Sequence, residues 1–266
     1  MPVILRLALS VILFGTFTAC ATSPTGRSQL VLFPAGQMSQ MGVAAFADLK
    51  EKGAVTKEIA TSRYVSCVAG AVTAELPPSF QKNWEVVVFD DKSANAFALP
   101  GGKIGVHTGL LEVAADQNQL ASVIGHEIGH VLSQHGNERM SIQFASETSQ
   151  QLLGAMIENG QQKADLMAAL GLGGKYLVKL PYSRTHESEA DVLGLELMAK
   201  AGFNPEASVQ VWRNMSKASK GEPLEFMSTH PSNDTRIKNL SANMPRATAT
   251  YRASQQQGKN PHCVKK

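Results

Sequence analysis

His126-Glu127-Ile128-Gly129-His130 is the segment of this 266-residue chain whose residue types and spacing point most directly to chemistry. On a helix, residues four apart share a face, so His126 and His130 can aim two imidazoles at one metal ion. Zinc suits that pair. Glu127, on the flank of the same face, can hold a water there and accept its proton as a general base. A catalytic zinc takes three protein ligands and keeps one position open. Glu187-Ser188-Glu189-Ala190-Asp191 offers the third. Glu187 and Asp191 share a face, whereas Glu189 points about 200° away from Glu187. The expectation is one zinc per chain on His126, His130 and Glu187. Asp191 would accept a hydrogen bond from a ligating imidazole and so set its tautomer. An acidic first turn is also what any helix start favours. His135, five residues past His130, falls roughly opposite His126 on a continued helix and reads as a surface histidine or a support behind the ligands. His107 and His186 read as structural or surface residues.

These groups need rigid elements to hold them. Leu120, Val123, Ile124, Ile128 and Val131 recur at helical spacing, so the segment lies in an amphipathic helix that Asp116 or Asn118 could cap. Helical patterns also cover 37–52, 57–74, 110–115, 140–157, 163–170, 185–201, 205–216 and 236–244, with a break at 171–174 and Pro181 before the 185–201 helix. Strand signals cover 84–89, 95–99 and 103–108, and Gly101-Gly102 suggests a hairpin between the last two. The fold class is α+β, mainly helical, with a small antiparallel sheet beside the helix of His126.

Composition is that of a globular protein, with 43% hydrophobic and 18% charged residues, and a net charge of +3 gives no case for nucleic-acid binding. The N-terminus differs. Arg6 precedes an apolar run from Leu7 to Phe17, followed by Thr18-Ala19-Cys20, the parts of a secretory signal. Phe17-Thr18-Ala19-Cys20 resembles the lipobox of bacterial lipoproteins, in which the thiol after the cleavage point carries a diacylglycerol; Phe17 stands where Leu is usual. Ala21 after Cys20 resembles lipoproteins sorted to the outer membrane. The small polar tract from Ala21 to Ser28 suits a tether. Cys67 and Cys263 remain, either as a disulfide stapling the C-terminal tail to an early helix or as one buried and one tail thiol.

Together, Asn95-Ala96-Phe97-Ala98, His126 to His130, Ser183-Arg184 with Glu187 to Asp191, and His230-Pro231 followed by Arg236 resemble metallopeptidase family forty-eight, a gluzincin family, and its small bacterial lipoprotein branch in particular. The resemblance implies zinc ligands His126, His130 and Glu187 with Glu127 as base. It implies that the strand of Asn95, Ala96 and Phe97 receives the substrate backbone. His230 would donate to the oxyanion or ligate zinc and hold the enzyme idle, and Arg236 would pair with an acid of the site. On the residues alone, the same segment reads as a helix start with Asp234 as cap and Pro231 as punctuation. The expected organisation is a signal peptide (1–19), a lipidated tether (20–36), a zinc peptidase domain (37–250) and a tail (251–266) that is loose except at Cys263. The expected function is a zinc endopeptidase on the periplasmic side of the bacterial envelope, acting on misfolded or stalled proteins. Its partners would be polypeptide substrates, the membrane through lipid on Cys20, and outer-membrane assembly machinery. The alternative is a zinc-containing chaperone-like module with little proteolysis, which would have no use for Glu127.

Overall fold

The structure, a computed structural model, describes residues 20–81, 83–154, 182–219, 224–230 and 234–265. The expected signal peptide, the helix over 163–170, the break at 171–174, Pro181, Pro231 and the side chain of Asp234 lie outside the described residues.

A central helix organises the molecule. Asp116 caps it by accepting from the backbone N–H groups of Asn118 and Gln119, and α4 then runs Gln117–Leu132. Residues from Gln119 to His130 are buried without a break. An amphipathic helix with one wet face was expected. Instead α2 (Ile59–Thr73), α6 (Arg184–Lys200), α7 (Ala207–Ala218) and the strand β4 (Ala96–Leu99) surround it. Leu120, Ile124 and Ile128 are fully buried. Each contributes about 1.5–3 kcal/mol by leaving water.

The main sheet has the order β3-β5-β4. The β4–β5 hairpin, with β5 at Lys103–His107, is antiparallel as expected, and β3 (Glu85–Phe89) adds to β5 in parallel. β4 is therefore an edge strand, and it lies beside α4. α1 (Ala35–Lys52) covers the sheet, with Phe46 packed on Phe89 and Phe97. α3 (Leu110–Val113), α5 (His135–Gly154), α8 (Glu225–Thr229) and α9 (Asp234–Gln256) complete the described elements. The helix expected over 140–157 begins at His135. Gln134, at φ 51°, ends α4 and turns the chain into α5, so His126 and His135 do not share one helix.

Two segments are more structured than their composition suggested. The tract taken as a loose tether forms an antiparallel pair, β1 (Cys20–Thr22) with β2 (Ser28–Leu30). Its continuation is held on α5 by hydrogen bonds from Leu32 N to Ser141 Oγ (2.9 Å) and from Asn137 Nδ2 to Phe33 O (2.8 Å). The tail is docked as well. Cys263 is bonded to Cys67, its N–H donates to Gln117 Oε1, and Lys259 pairs with Glu75. Side-chain and backbone contacts of this kind are not visible in composition.

Candidate metal centre

His126 and His130 project from α4 toward the first turns of α6, which bring Glu187. The two helices cross very closely. A Cβ on Gly125 or Gly129 would lie 2.9 Å from Gly194 O or 2.8 Å from Ala190 O, and one on Gly194 would lie 2.6 Å from the backbone nitrogen of His126. Small residues four apart on both helices permit this approach, and it sets Glu187 against the two imidazoles.

His230, at the end of α8, completes the group. His126 Nε2 lies 3.1 Å from His130 Nε2 and 3.2 Å from His230 Nδ1. Glu187 Oε1 lies 3.1 Å from His230 Nδ1 and 3.5 Å from His130 Nε2, and Glu187 Oε2 lies 3.4 Å from His126 Nε2. Zinc with bonds of about 2.0–2.1 Å has tetrahedral edges of roughly 3.3–3.4 Å. The four donors, all buried, thus already stand at zinc-ligand spacing. They are three imidazole nitrogens and a carboxylate oxygen, the donor types zinc prefers. Neutral imidazole lone pairs converging at 3.1 Å repel unless a cation or proton lies between them, so the residues present fit the metal.

The electrostatics of the residues alone are mixed: burial and Arg236 press His126 down, but Asp191 and Glu187 outweigh them and lift it to about 9, so a metal must displace a proton there. Burial pushes His130 well below its ordinary pKa and keeps it a neutral ligand, against the pull of Glu187. Burial alone would raise the Glu187 carboxyl; the imidazoles of His126, His130 and His230 gathered around it outweigh that and hold the group ionised. Burial raises the Glu127 carboxyl above the usual range, although His230 and His126 oppose the shift. Glu127 Oε1 is buried without a hydrogen-bond donor among the described residues, with His230 Nε2 at 3.4 Å. The backbone of Ala98 on β4 lies beside the same carboxylate and opposes the shift. A buried, half-satisfied carboxylate beside the donors is what a proton acceptor for an incoming water requires.

Asp191 and Arg236 fall where they were expected. Asp191 Oδ1 lies 3.0 Å from His126 Nδ1, which leaves Nε2 of that ring free of a proton and facing the other donors. Arg236 grips Asp191 with two hydrogen bonds (2.8 and 2.6 Å), reaches Glu187 at 2.5 Å, and lies over Trp212 at 3.9 Å. The ring of Phe226 stacks on His230 at 4.5 Å.

The strand expected to receive the substrate backbone keeps its side chains inside. Asn95 and Ala96 are buried. Phe97 turns its ring onto Phe46, Phe89 and the bare backbone of Gly105, because strand alternation sends it away from α4. What β4 offers beside Glu127 is backbone. Past Ala98 and Leu99 a cavity of about 530 Å³ opens, lined by Met38, Trp84, Met140 and Tyr182 and reaching His130.

The structure decides between the alternatives left open for His135 and His186, and adds Tyr182 and Arg27, which were not anticipated. His135 is fully buried, with Nδ1 2.9 Å from His130 Nδ1 and Nε2 3.1 Å from Glu189 Oε2. His186, read as structural or surface, is buried against Glu138 at 3.1 Å and stacks on His135 at 4.3 Å. Tyr182 stacks on His130 at 3.9 Å, with the Arg139 guanidinium 4.0 Å from its ring. Arg27, the only charge between Arg6 and Asp48, was the signal available for a tract that otherwise read as neutral tether.

Two crossing helices carrying His126, His130 and Glu187, with an edge strand beside Glu127, define a zinc centre of the gluzincin type. The profile of Peptidase family M48 matches residues 60–244, and the chain belongs to that family. It is 36% identical over 189 residues to the mitochondrial metalloendopeptidase OMA1 of Schizosaccharomyces pombe, covering 70% of this chain and 54% of that protein. Against the OMA1 of Bos taurus it is 32% identical over 260 residues, 87% of this chain and 47% of that protein. A β-barrel assembly-enhancing protease of Yersinia pestis is 27% identical over 182 residues, 66% of this chain and 37% of that protein. The chain spans about half the length of the OMA1 proteins it matches.

Proposed function

We propose that this protein is a zinc-dependent endopeptidase of the bacterial envelope that cleaves unfolded or stalled proteins and is anchored by lipid on Cys20. The observation that carries the peptidase reading is the buried Glu127 carboxylate, with an oxygen lacking a donor, beside four donors at zinc spacing. His126, His130 and Glu187 would hold the ion, with His230 at the fourth position. When bound, zinc supplies a Lewis acid for the scissile carbonyl and acidifies water. Glu127 takes the proton of the attacking water and delivers it to the leaving amine. Asp191 and Arg236 keep His126 in the ligating tautomer and Glu187 ionised. An extended substrate adds to the free edge of β4, as strands add to exposed sheet edges, and sends an apolar side chain into the cavity by Met38 and Trp84.

Glu127→Gln tests this reading. The variant keeps the fold and the metal, because Gln is nearly isosteric, and loses about 10²–10⁴-fold in casein cleavage. Turnover near wild type would move the base to another residue. Retained binding of unfolded protein in a wild type that never cleaves would favour the chaperone-like alternative.

The envelope reading is supported by the Leu7 to Phe17 run before Cys20, by the disulfide between Cys67 and Cys263, which suits an oxidising compartment, and by the likeness to the β-barrel assembly-enhancing protease. Among the described residues no helix is long and apolar enough to cross a membrane. Intact-mass analysis of protein extracted from membranes should give a mature N-terminus at Cys20 with acyl mass on it. An N-terminus elsewhere, without acyl mass, rejects the anchor and leaves the zinc centre untouched.

A further inference from the structure

The turn between β1 and β2 lays the exposed Thr25 and the half-buried Arg27 over two buried acids behind the metal centre. Arg27 Nε donates to Glu189 Oε2 (3.0 Å), and its Nη1 and Nη2 hold both oxygens of Glu138 (2.7 and 2.6 Å). Thr25 Oγ1 donates to Glu189 Oε1 (2.6 Å). Both carboxylates are buried, at 5% and 6% exposure. The guanidinium is thus the cation between two buried acids that would otherwise repel.

Glu189 in turn faces the ligands. If His130 ligates through Nε2, its proton sits on Nδ1 and is donated to His135 Nδ1, 2.9 Å away. His135 must then carry its own proton on Nε2, and donates it to Glu189 Oε2 at 3.1 Å. Each link fixes the tautomer and ring angle of the one before it, as carboxylate-imidazole chains behind metal ligands do. On the far side, His186 donates from Nε2 to Glu138 and stacks on His135, so both acids gripped by Arg27 help to hold that ring.

We propose that Arg27 is a positioning residue of the metal centre, acting on His130 through Glu189 and His135, so that the N-terminal segment is a working part of the site and not only its tether. The proposal rests on the zinc reading of the centre. Arg27 lies outside residues 60–244, the stretch matched by the family profile.

The test uses the full-length protein, loaded with zinc or with cobalt(II), whose visible spectrum reports ligand geometry without turnover. Wild type must bind one metal ion and cleave casein; failure there rejects the zinc peptidase reading itself. Given that, Arg27→Ala is expected to weaken zinc binding by about 10–100-fold, shift the cobalt spectrum and lower kcat with KM little changed. Millimolar guanidinium should restore the spectrum, and Arg27→Lys should restore part of it. Thr25→Val, which removes one bond to Glu189, should shift the spectrum in the same direction and less far, and it decides the matter if Arg27→Ala does not fold. Ser141→Ala, which removes a bond from α5 to the same segment, should leave spectrum and kcat as in wild type. A wild-type spectrum, zinc affinity and kcat in folded Arg27→Ala would overturn the proposal. So would an equal loss in Ser141→Ala, which would make attachment of the segment the whole effect.

Discussion

His230 has the most consequential position of any single residue. Its Nδ1 stands among the donors at 3.2 Å from His126 Nε2 and 3.1 Å from Glu187 Oε1, while its Nε2 approaches Glu127. Four protein ligands close a zinc site, and a catalytic one needs an open position. We propose that His230 takes the fourth position at rest and leaves it for turnover. His230→Ala is expected to keep one zinc on the other three ligands and to cleave casein several-fold faster than wild type. Zinc retention with a loss of about 10²–10³-fold would instead give this imidazole an oxyanion-binding role. His126→Ala should differ in kind. It removes a ligand and leaves Asp191 and Glu187 facing a vacated buried space, so metal content by elemental analysis and cleavage should fall together.

At the scale of elements, the close crossing of α4 and α6 decides whether the donors meet. A Cβ on Gly194 would sit 2.6 Å from the backbone nitrogen of His126, with nothing flexible to give way. Gly194→Ala should therefore push the helices apart. The expected cost is about 1–3 kcal/mol, the usual range for overpacking, read as a melting midpoint several degrees lower together with weaker zinc binding. Gly70 on α2 is the contrast: nothing lies within 4 Å of an added Cβ. Gly70→Ala should be neutral or stabilising by up to about 1 kcal/mol, through helix propensity. If Gly194→Ala melts with wild type and binds zinc normally, the crossing is not what positions Glu187.

At the scale of the whole molecule, the chain's two ends are both fastened to its middle. The disulfide joins Cys67 on α2 to Cys263 in the tail across a sequence separation of 196. Cross-linking so distant a pair removes much freedom from the unfolded chain, so Cys263→Ser should destabilise the protein by about 2–5 kcal/mol. Denaturant titration measures that change. An unchanged midpoint would mean that the docked tail, through Gln117 and Glu75, suffices without the bond.

The sequence by itself determined the chemistry. Two imidazoles four apart with a carboxylate between them, and a second carboxylate on another helix, specify donor types and a shared face, because helical periodicity is local. The strands and most helix spans followed for the same reason; the two leftover cysteines were open as a disulfide or as separate thiols, and the fold pairs them across 196 residues. Only the tertiary structure decided what lies across space. The partnership of His135 with Glu189 depends on the αL turn at Gln134, which a continuous-helix reading cannot anticipate. The ring of Phe97 lies in the core, leaving the strand's backbone to face outward, because its side of the sheet is set by the packing of α1. The neutral-looking N-terminal tract became part of the centre because two buried acids, 111 and 162 residues away along the chain, share one half-buried guanidinium. Long-range pairing of buried charges leaves no period in a sequence, and folding alone brings such partners together.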